Sequence, residues 1–193
     1  MGMQIRQGRR LMDYLASFEL TPTIQAIHAT PHRLVYAFAG AGALALHWLH
    51  AVAGSSRTLL EARDCYAPRA LAEIAAGSGA GAVSGETARA MAVWARQRAA
   101  RLAEGDWPLL GVSCTAAIAT DRARRGAERT FVAVCGAGGG KLYALEMIKG
   151  QRDRASQEEI VSRLVVLAIA RGCEVSAAEP GLGEGERLEI TDW

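Results

Sequence analysis

Leu34-Val35-Tyr36-Ala37-Phe38-Ala39-Gly40-Ala41-Gly42-Ala43-Leu44-Ala45 is the stretch on which the reading of the fold rests. Leu34 to Phe38 is a compact apolar run of strand length, bounded by a turn at Ala39-Gly40-Ala41-Gly42. An apolar helix follows from about Ala43 to Val52. Working forward, Gly54-Ser55-Ser56 breaks that helix, and Thr58 to Ala62 is the next strand candidate. Tyr66-Ala67-Pro68 punctuates a helix through Ala75, and residues 76 to 85 hold only Gly, Ala, Val and Ser, a flexible connector. Ser84 is placed to cap a long helix through Ala103. Its Ala88, Met91, Ala92, Ala95, Ala99 and Leu102 fall within one arc of about 100°.

Leu109 to Ser113 is strand-like, and Thr130 to Cys135 and Leu142 to Lys149 flank Gly136-Ala137-Gly138-Gly139-Gly140 as a hairpin. Ser156-x-x-Glu159 reads as a capping box opening a last helix with Ile160, Val161, Leu164, Val165, Leu167 and Ala168 inward and Gly172 as its stop. Working backward, Leu11, Met12, Leu15 and Phe18 share one face of a short helix over 8–18. Thr21 or Thr23 caps another through His28, which Pro31 stops. The order β-α-β-α-α-β-β-β-α predicts an α/β fold, a mixed sheet covered by helices on both faces. Three parts are expected: an N-terminal helical segment over 1–32, the α/β domain over 33–173, and a loose, acidic, Gly-rich tail over 174–193, apart from Leu188 to Ile190.

Composition limits the function classes. The 193 residues are half apolar, enough for one domain with a sizeable core. A net charge of +2, from 22 basic and 20 acidic residues, gives no strong field for nucleic acid or an anionic membrane. Basic residues cluster only at Arg122, Arg124 and Arg125 and at Arg152 and Arg154, where a solvated surface and a phosphate contact are the competing readings. Cys65, Cys114, Cys135 and Cys173 lie far apart without a Cys-x-x-Cys pair, which fits a reducing compartment better than a zinc knuckle or disulfide framework. Met1 to Arg10 are followed by no apolar core of a signal peptide, and the longest apolar stretch, around Ala41 to Ala53, is too short to span a bilayer. A cytoplasmic protein is expected, with no membrane or nucleic-acid partner.

Three generic motifs present themselves. Gly40-Ala41-Gly42 between strand and helix, with Glu61 about twenty residues on, has the layout of a dinucleotide site: glycines admit phosphate, the helix N-terminus attracts it, and the acid binds ribose. Gly138-Gly139-Gly140-Lys141 is not a phosphate loop, because Cys135 stands at its first glycine and Leu142 where a Ser or Thr must reach magnesium. His47 and His50, three apart on a helix with Trp48 between them, lack a third ligand for zinc; a helix surface or subunit contact is expected instead.

A longer pattern is more specific. Ala37-Phe38-Ala39-Gly40-Ala41-Gly42-Ala43, Gly54-Ser55-Ser56, Cys65-Tyr66, Gly81-Ala82-Val83-Ser84-x-Glu86-Thr87-Ala88, Ser113-Cys114-Thr115-Ala116 and Gly150-Gln151-Arg152 follow one another over residues 33 to 172. In order and spacing they resemble the C-terminal domain of the CinA family, the nicotinamide-nucleotide amidohydrolases. Pro108-Leu109-Leu110-Gly111-Val112 and Gly150-Gln151-Arg152-Asp153-Arg154 look closer to the plant proteins in which such a domain precedes a nucleotidyltransferase-like domain, for which 193 residues leave no room.

The resemblance implies a place in NAD metabolism, no cofactor or metal, a homodimer, and hydrolysis of the carboxamide of nicotinamide mononucleotide by a serine that a lysine helps activate. Here the serine position is Ala39, the preceding glutamate Phe38, and the lysine position Leu71. Such a route needs an oxygen whose proton a base can take. Losing the nucleophile costs on the order of a millionfold in rate, roughly 8 kcal/mol. The expectation is a pseudoenzyme without deamidase activity that retains a nucleotide- or partner-binding role. Its candidate ligand positions are Ala39, Gly40, Gly42, Ser55, Ser56, Tyr66, Thr115 and Arg152, the last with Gln151 replacing the family's aspartate; each also reads as a turn, cap or core position. The alternatives are an active enzyme with Thr115 or a serine of Gly54-Ser55-Ser56 as nucleophile, and a dinucleotide-binding module using Gly40 and Glu61. Cys114 could also attack, although a small buried thiol is its commoner role.

Overall fold

Strand β1 (Arg33–Ala39) is buried along nearly its whole length, as a strand covered on both faces must be. The computed structural model describes residues 19–76, 79–121 and 126–193. The expected helix over 8–18 and the cluster Arg122, Arg124 and Arg125 lie outside them.

A helix, α1, runs over 19–29. After β1 come α2 (Ala43–Ala51), α3 (Ser55–Thr58), β2 (Leu59–Asp64), α4 (Pro68–Ile74), α5 (Gly85–Leu102) and β3 (Leu109–Ala117). The chain continues through β4 (Glu128–Gly136), β5 (Gly139–Met147), α6 (Arg154–Gly172) and β6 (Arg187–Asp192). One six-stranded sheet results, in the order β2-β1-β3-β4-β5-β6. β2, β1 and β3 are parallel, each joined to the next by helices, as parallel neighbours require. From β3 onward the pairing is antiparallel. The mixed sheet with helices on both faces is therefore as the order of elements predicts.

Alternation along the strands assigns the two faces. Leu34, Tyr36, Phe38, Val112 and Cys114 pack with α2 and α6 in the main core. Val35, Ala37 and Ala39 point the other way, against α4 and α5. There α5 lies so close to β3 that a Cβ on Gly111 would stand 2.0 Å from the Ala92 carbonyl oxygen and 2.3 Å from the Arg96 nitrogen. Only glycine admits that approach.

Several boundaries differ from the sequence reading. The cap of α6 is Asp153, whose carboxylate accepts from the Ser156 N–H, so the box read at Ser156 lies one turn inside the helix. The break at Gly54-Ser55-Ser56 contains a turn of helix, α3. The segment after Glu174 ends not as a loose tail but as the sixth strand, paired with β5 over Lys141 to Glu146. Trp48, offered as a surface or subunit contact, is buried in the main core, while His47 and His50 face outward. All four cysteines are free and buried. No described helix is long and apolar enough to cross a membrane.

α1 is pinned through His28, which is buried. Its Nε2 lies 3.0 Å from the Leu49 carbonyl, which can only accept, so Nε2 carries the proton. Nδ1 is then bare and accepts from the Thr58 hydroxyl at 2.9 Å. Burial lowers the His28 pKa below its ordinary 6.5.

Two predictions follow from this packing. Gly111→Ala is expected to cost about 3 kcal/mol in urea unfolding; a loss under about 1 kcal/mol would show that α5 can lift from β3. For His28 the unfolded chain binds the proton more tightly, so its contribution is complete above about pH 6.5 and is lost as pH falls through that value. The melting temperature should drop between pH 7.5 and 5.5, and drop less in His28→Gln; equal drops would remove His28 as the cause.

Candidate functional site

At the C-terminal end of the parallel strands, Ala39 of β1 sits beside Thr115 of β3 in the ladder, both turned to the α4–α5 face. Ala39 belongs to an apolar cluster with Ala37, Cys65, Leu71, Ile74 and Met91. The structure thus brings Ala39 and Leu71, the positions at which the resemblance implies a serine and a lysine, into one apolar cluster. Leu71 reaches the cluster because Pro68 starts α4 directly after the end of β2. Neither side chain has a proton to give or take.

The hydroxyls around this point are already committed. Thr115 is fully buried, and its Oγ1 donates to the Ala82 carbonyl at 2.6 Å. Ser113 Oγ donates to the Ala88 carbonyl at 2.6 Å. Thr87 Oγ1 donates to the Gly81 carbonyl, and Ser84 Oγ accepts from the Thr87 N–H as the cap of α5. A hydroxyl donating to a carbonyl faces no base, so Thr115 lacks the partner that would make it a nucleophile. The Gly81-to-Ala88 motif is therefore the loop and first turn that close over the end of β3. A recess of about 390 Å³ opens beside it, lined by Pro68, Leu71, Ala72, Ala75, Ala82 and Thr87 among others.

The other candidate positions divide between ends and faces. Tyr66 follows Cys65, whose N–H donates to the Phe38 carbonyl, so it shares the Ala39 end of the sheet, with its ring 70% exposed. Ser55 and Ser56 lie at the opposite end, in the turn before Leu59, which pairs with Leu34. Five residues of strand put them about 16 Å from Ala39. Ser55 Oγ meets His50 Nδ1 there at 2.9 Å. Cys114 points to the opposite face from Thr115, and burial raises its thiol pKa strongly, leaving no thiolate.

Arg152 is held by a buried carboxylate. Its Nε and Nη2 donate to Glu186 Oε1 and Oε2 at 2.7 and 2.8 Å, and Nη2 also donates to the Gly181 carbonyl. The Glu186 side chain is fully buried, and the Arg152 guanidinium beside it holds its pKa below the usual carboxylate range. This fork fastens the final segment to the start of α6.

Gly40 and Gly42, the glycines of the dinucleotide layout, have packing reasons of their own. Both have positive φ, and a Cβ would stand 2.2 Å from the Ala116 oxygen at Gly40 and 2.3 Å from the Tyr36 hydroxyl at Gly42. The N-terminus of α2 already holds an anion, because the Glu158 carboxylate accepts from the Gly42 N–H at 3.0 and 3.1 Å and from the Leu44 N–H at 3.1 Å. Ser162 Oγ donates to the same group. Glu61 lies inside β2 opposite Val35, not at the strand's end, and is paired with Arg98. Among the described residues, no group of three or more His, Cys, Asp or Glu could hold a metal.

Sequence reading missed Glu158 and Glu186. Glu158 gave no signal because it caps a helix 116 residues away in sequence. Glu186 gave no signal because it pairs with an arginine 34 residues away in sequence.

Comparison with known proteins bears on the architecture. A competence/damage-inducible protein, CihA, from Agrobacterium tumefaciens superposes over 80% of this chain and 95% of its own, with a TM-score of 0.64 at 21% identity. The fold is CinA-like. A CinA superfamily protein from Escherichia coli superposes over 82% of this chain and 87% of its own, with a TM-score of 0.58 at 17% identity. The competence damage-inducible protein A from Klebsiella pneumoniae gives 0.61 at 16% identity, over 80% and 95%. No protein-family model matches the sequence, and no curated protein does. The CinA-like architecture thus survives at an identity where the site residues are free to differ.

The α2 cap is open to a direct check. Glu158→Ala should lower stability by about 1–2 kcal/mol in chemical denaturation. An unchanged midpoint would mean that water replaces the carboxylate without loss.

Proposed function

We propose that this protein is a CinA-like domain that binds without hydrolysing, a pseudoenzyme whose former reaction centre has become an apolar recess. One observation carries the reading: Ala39 and Leu71 meet in a single hydrocarbon cluster while Thr115, the nearest hydroxyl, donates to a carbonyl. Amide hydrolysis there has neither a nucleophile nor a base. A binding role fits the recess of about 390 Å³, which lies within the range of small-ligand pockets. Its lining is mostly alanine and leucine and includes no cation, and Arg152 is engaged by Glu186. A nucleotide would therefore be held through its ring and ribose more than through its phosphate.

The likeness to the plant fusion proteins suggests one class of partner, a nucleotidyltransferase-like domain. A homodimer belongs to the same proposal; light scattering at about twice 20.5 kDa would support it.

The deciding experiment is calorimetric titration with nicotinamide mononucleotide, with released ammonia assayed on the same sample. Binding without ammonia is the expected result and would make the recess a nucleotide sensor. Neither signal would move the role to protein binding. Ammonia release that disappears in Thr115→Ala would overturn the reading.

A further inference from the structure

A second cavity, of about 500 Å³, lies on the α6 face, at the end of the sheet where β3 begins. Along β3, Leu110 at its floor is about 16 Å from Thr115, so this cavity is separate from the recess beside Ala39 and does not depend on how that recess is read.

Its floor is apolar, formed by Leu110, Val134 and Ala168. Its rim carries Lys141, Arg171 and Asp192. Both cations are paired at present, Lys141 with Asp192 and Arg171 with Glu179. These acids are 79% and 58% exposed, and solvent-exposed pairs of this kind are weak enough to exchange. The Arg171 guanidinium also lies 6.0 Å from the centre of the Tyr143 ring, which keeps it at the cavity wall when its carboxylate partner leaves.

The end of α6 would repel an anion if its carbonyls were bare. They are not. Ile169 and Ala170 accept from the Cys173 N–H, Ala170 also from Val175, and Arg171 from Glu174. An apolar body with one planar anionic head matches this arrangement, since a guanidinium fork suits a carboxylate geometrically.

We propose that this cavity binds a small organic acid, its hydrocarbon part against Leu110, Val134 and Ala168 and its carboxylate exchanged onto Arg171 and Lys141.

Phenylacetate serves as probe and 2-phenylethanol as its uncharged counterpart. The readout is the ring Hε resonance of Tyr143, which lines the cavity beneath Arg171, assigned through Tyr143→Phe. Phenylacetate should shift that resonance saturably at millimolar concentration, and 2-phenylethanol should bind about tenfold more weakly. Arg171→Gln should remove most of the difference between the two. Gly138→Phe should weaken both, because Gly138 lines the cavity and a Cβ there has no atom within 4 Å. No saturable shift, an equal response to both probes, or a response unmoved by Arg171→Gln and Gly138→Phe would overturn the assignment.

Discussion

Alternation along β1 and β3 is the constraint from which the rest follows. Every second side chain of these two central strands enters the core under α2 and α6, and the others meet α4 and α5. That parity separates Cys114 from Thr115, although they are neighbours in sequence. It sets Ala39 and Thr115 side by side, and places Gly111 where α5 must touch the sheet. A shift of one residue would exchange the two faces and bury none of these groups correctly.

The fold was readable because its signals are local. The apolar run at Leu34, the glycine punctuation, the Ser84 cap and the Gly136-to-Gly140 hairpin each mark one element, and their order fixes a mixed sheet. The site was readable only by what it lacks. Ala39 and Leu71 stand where the resemblance implies a nucleophile and a lysine, but only the folded chain shows that they share one apolar cluster. The hidden features were long-range polar pairings. Neither Glu158 under α2 nor Glu186 under Arg152 leaves a trace in periodicity or composition. The final strand was only partly read, as the exception made for Leu188 to Ile190, because an edge strand with mostly exposed residues carries little apolar pattern.

Polar groups in this molecule are largely turned to internal use. The helix terminus that could attract phosphate is closed by Glu158, the arginine that could bind charge by Glu186, and the hydroxyl that could attack by the Ala82 carbonyl. A reaction centre needs groups left unsatisfied until substrate arrives. Around Ala39 the hydroxyls of Ser113 and Thr115 are hydrogen-bonded within the fold. The likeness to CinA structures at about 20% identity is a likeness of architecture, which packing and alternation maintain while individual side chains differ.

The Arg152–Glu186 fork has one more effect. β6 is mostly exposed and gains little from hydrocarbon burial, so its attachment relies on backbone pairing with β5 and on this charged clasp just before it. If the clasp opened, Glu186 would lose its counter-charge and β6 could peel away, baring the backbone of β5 along Lys141 to Glu146. An uncovered strand of that length is a template for any chain that meets it. The clasp thereby helps keep that backbone covered.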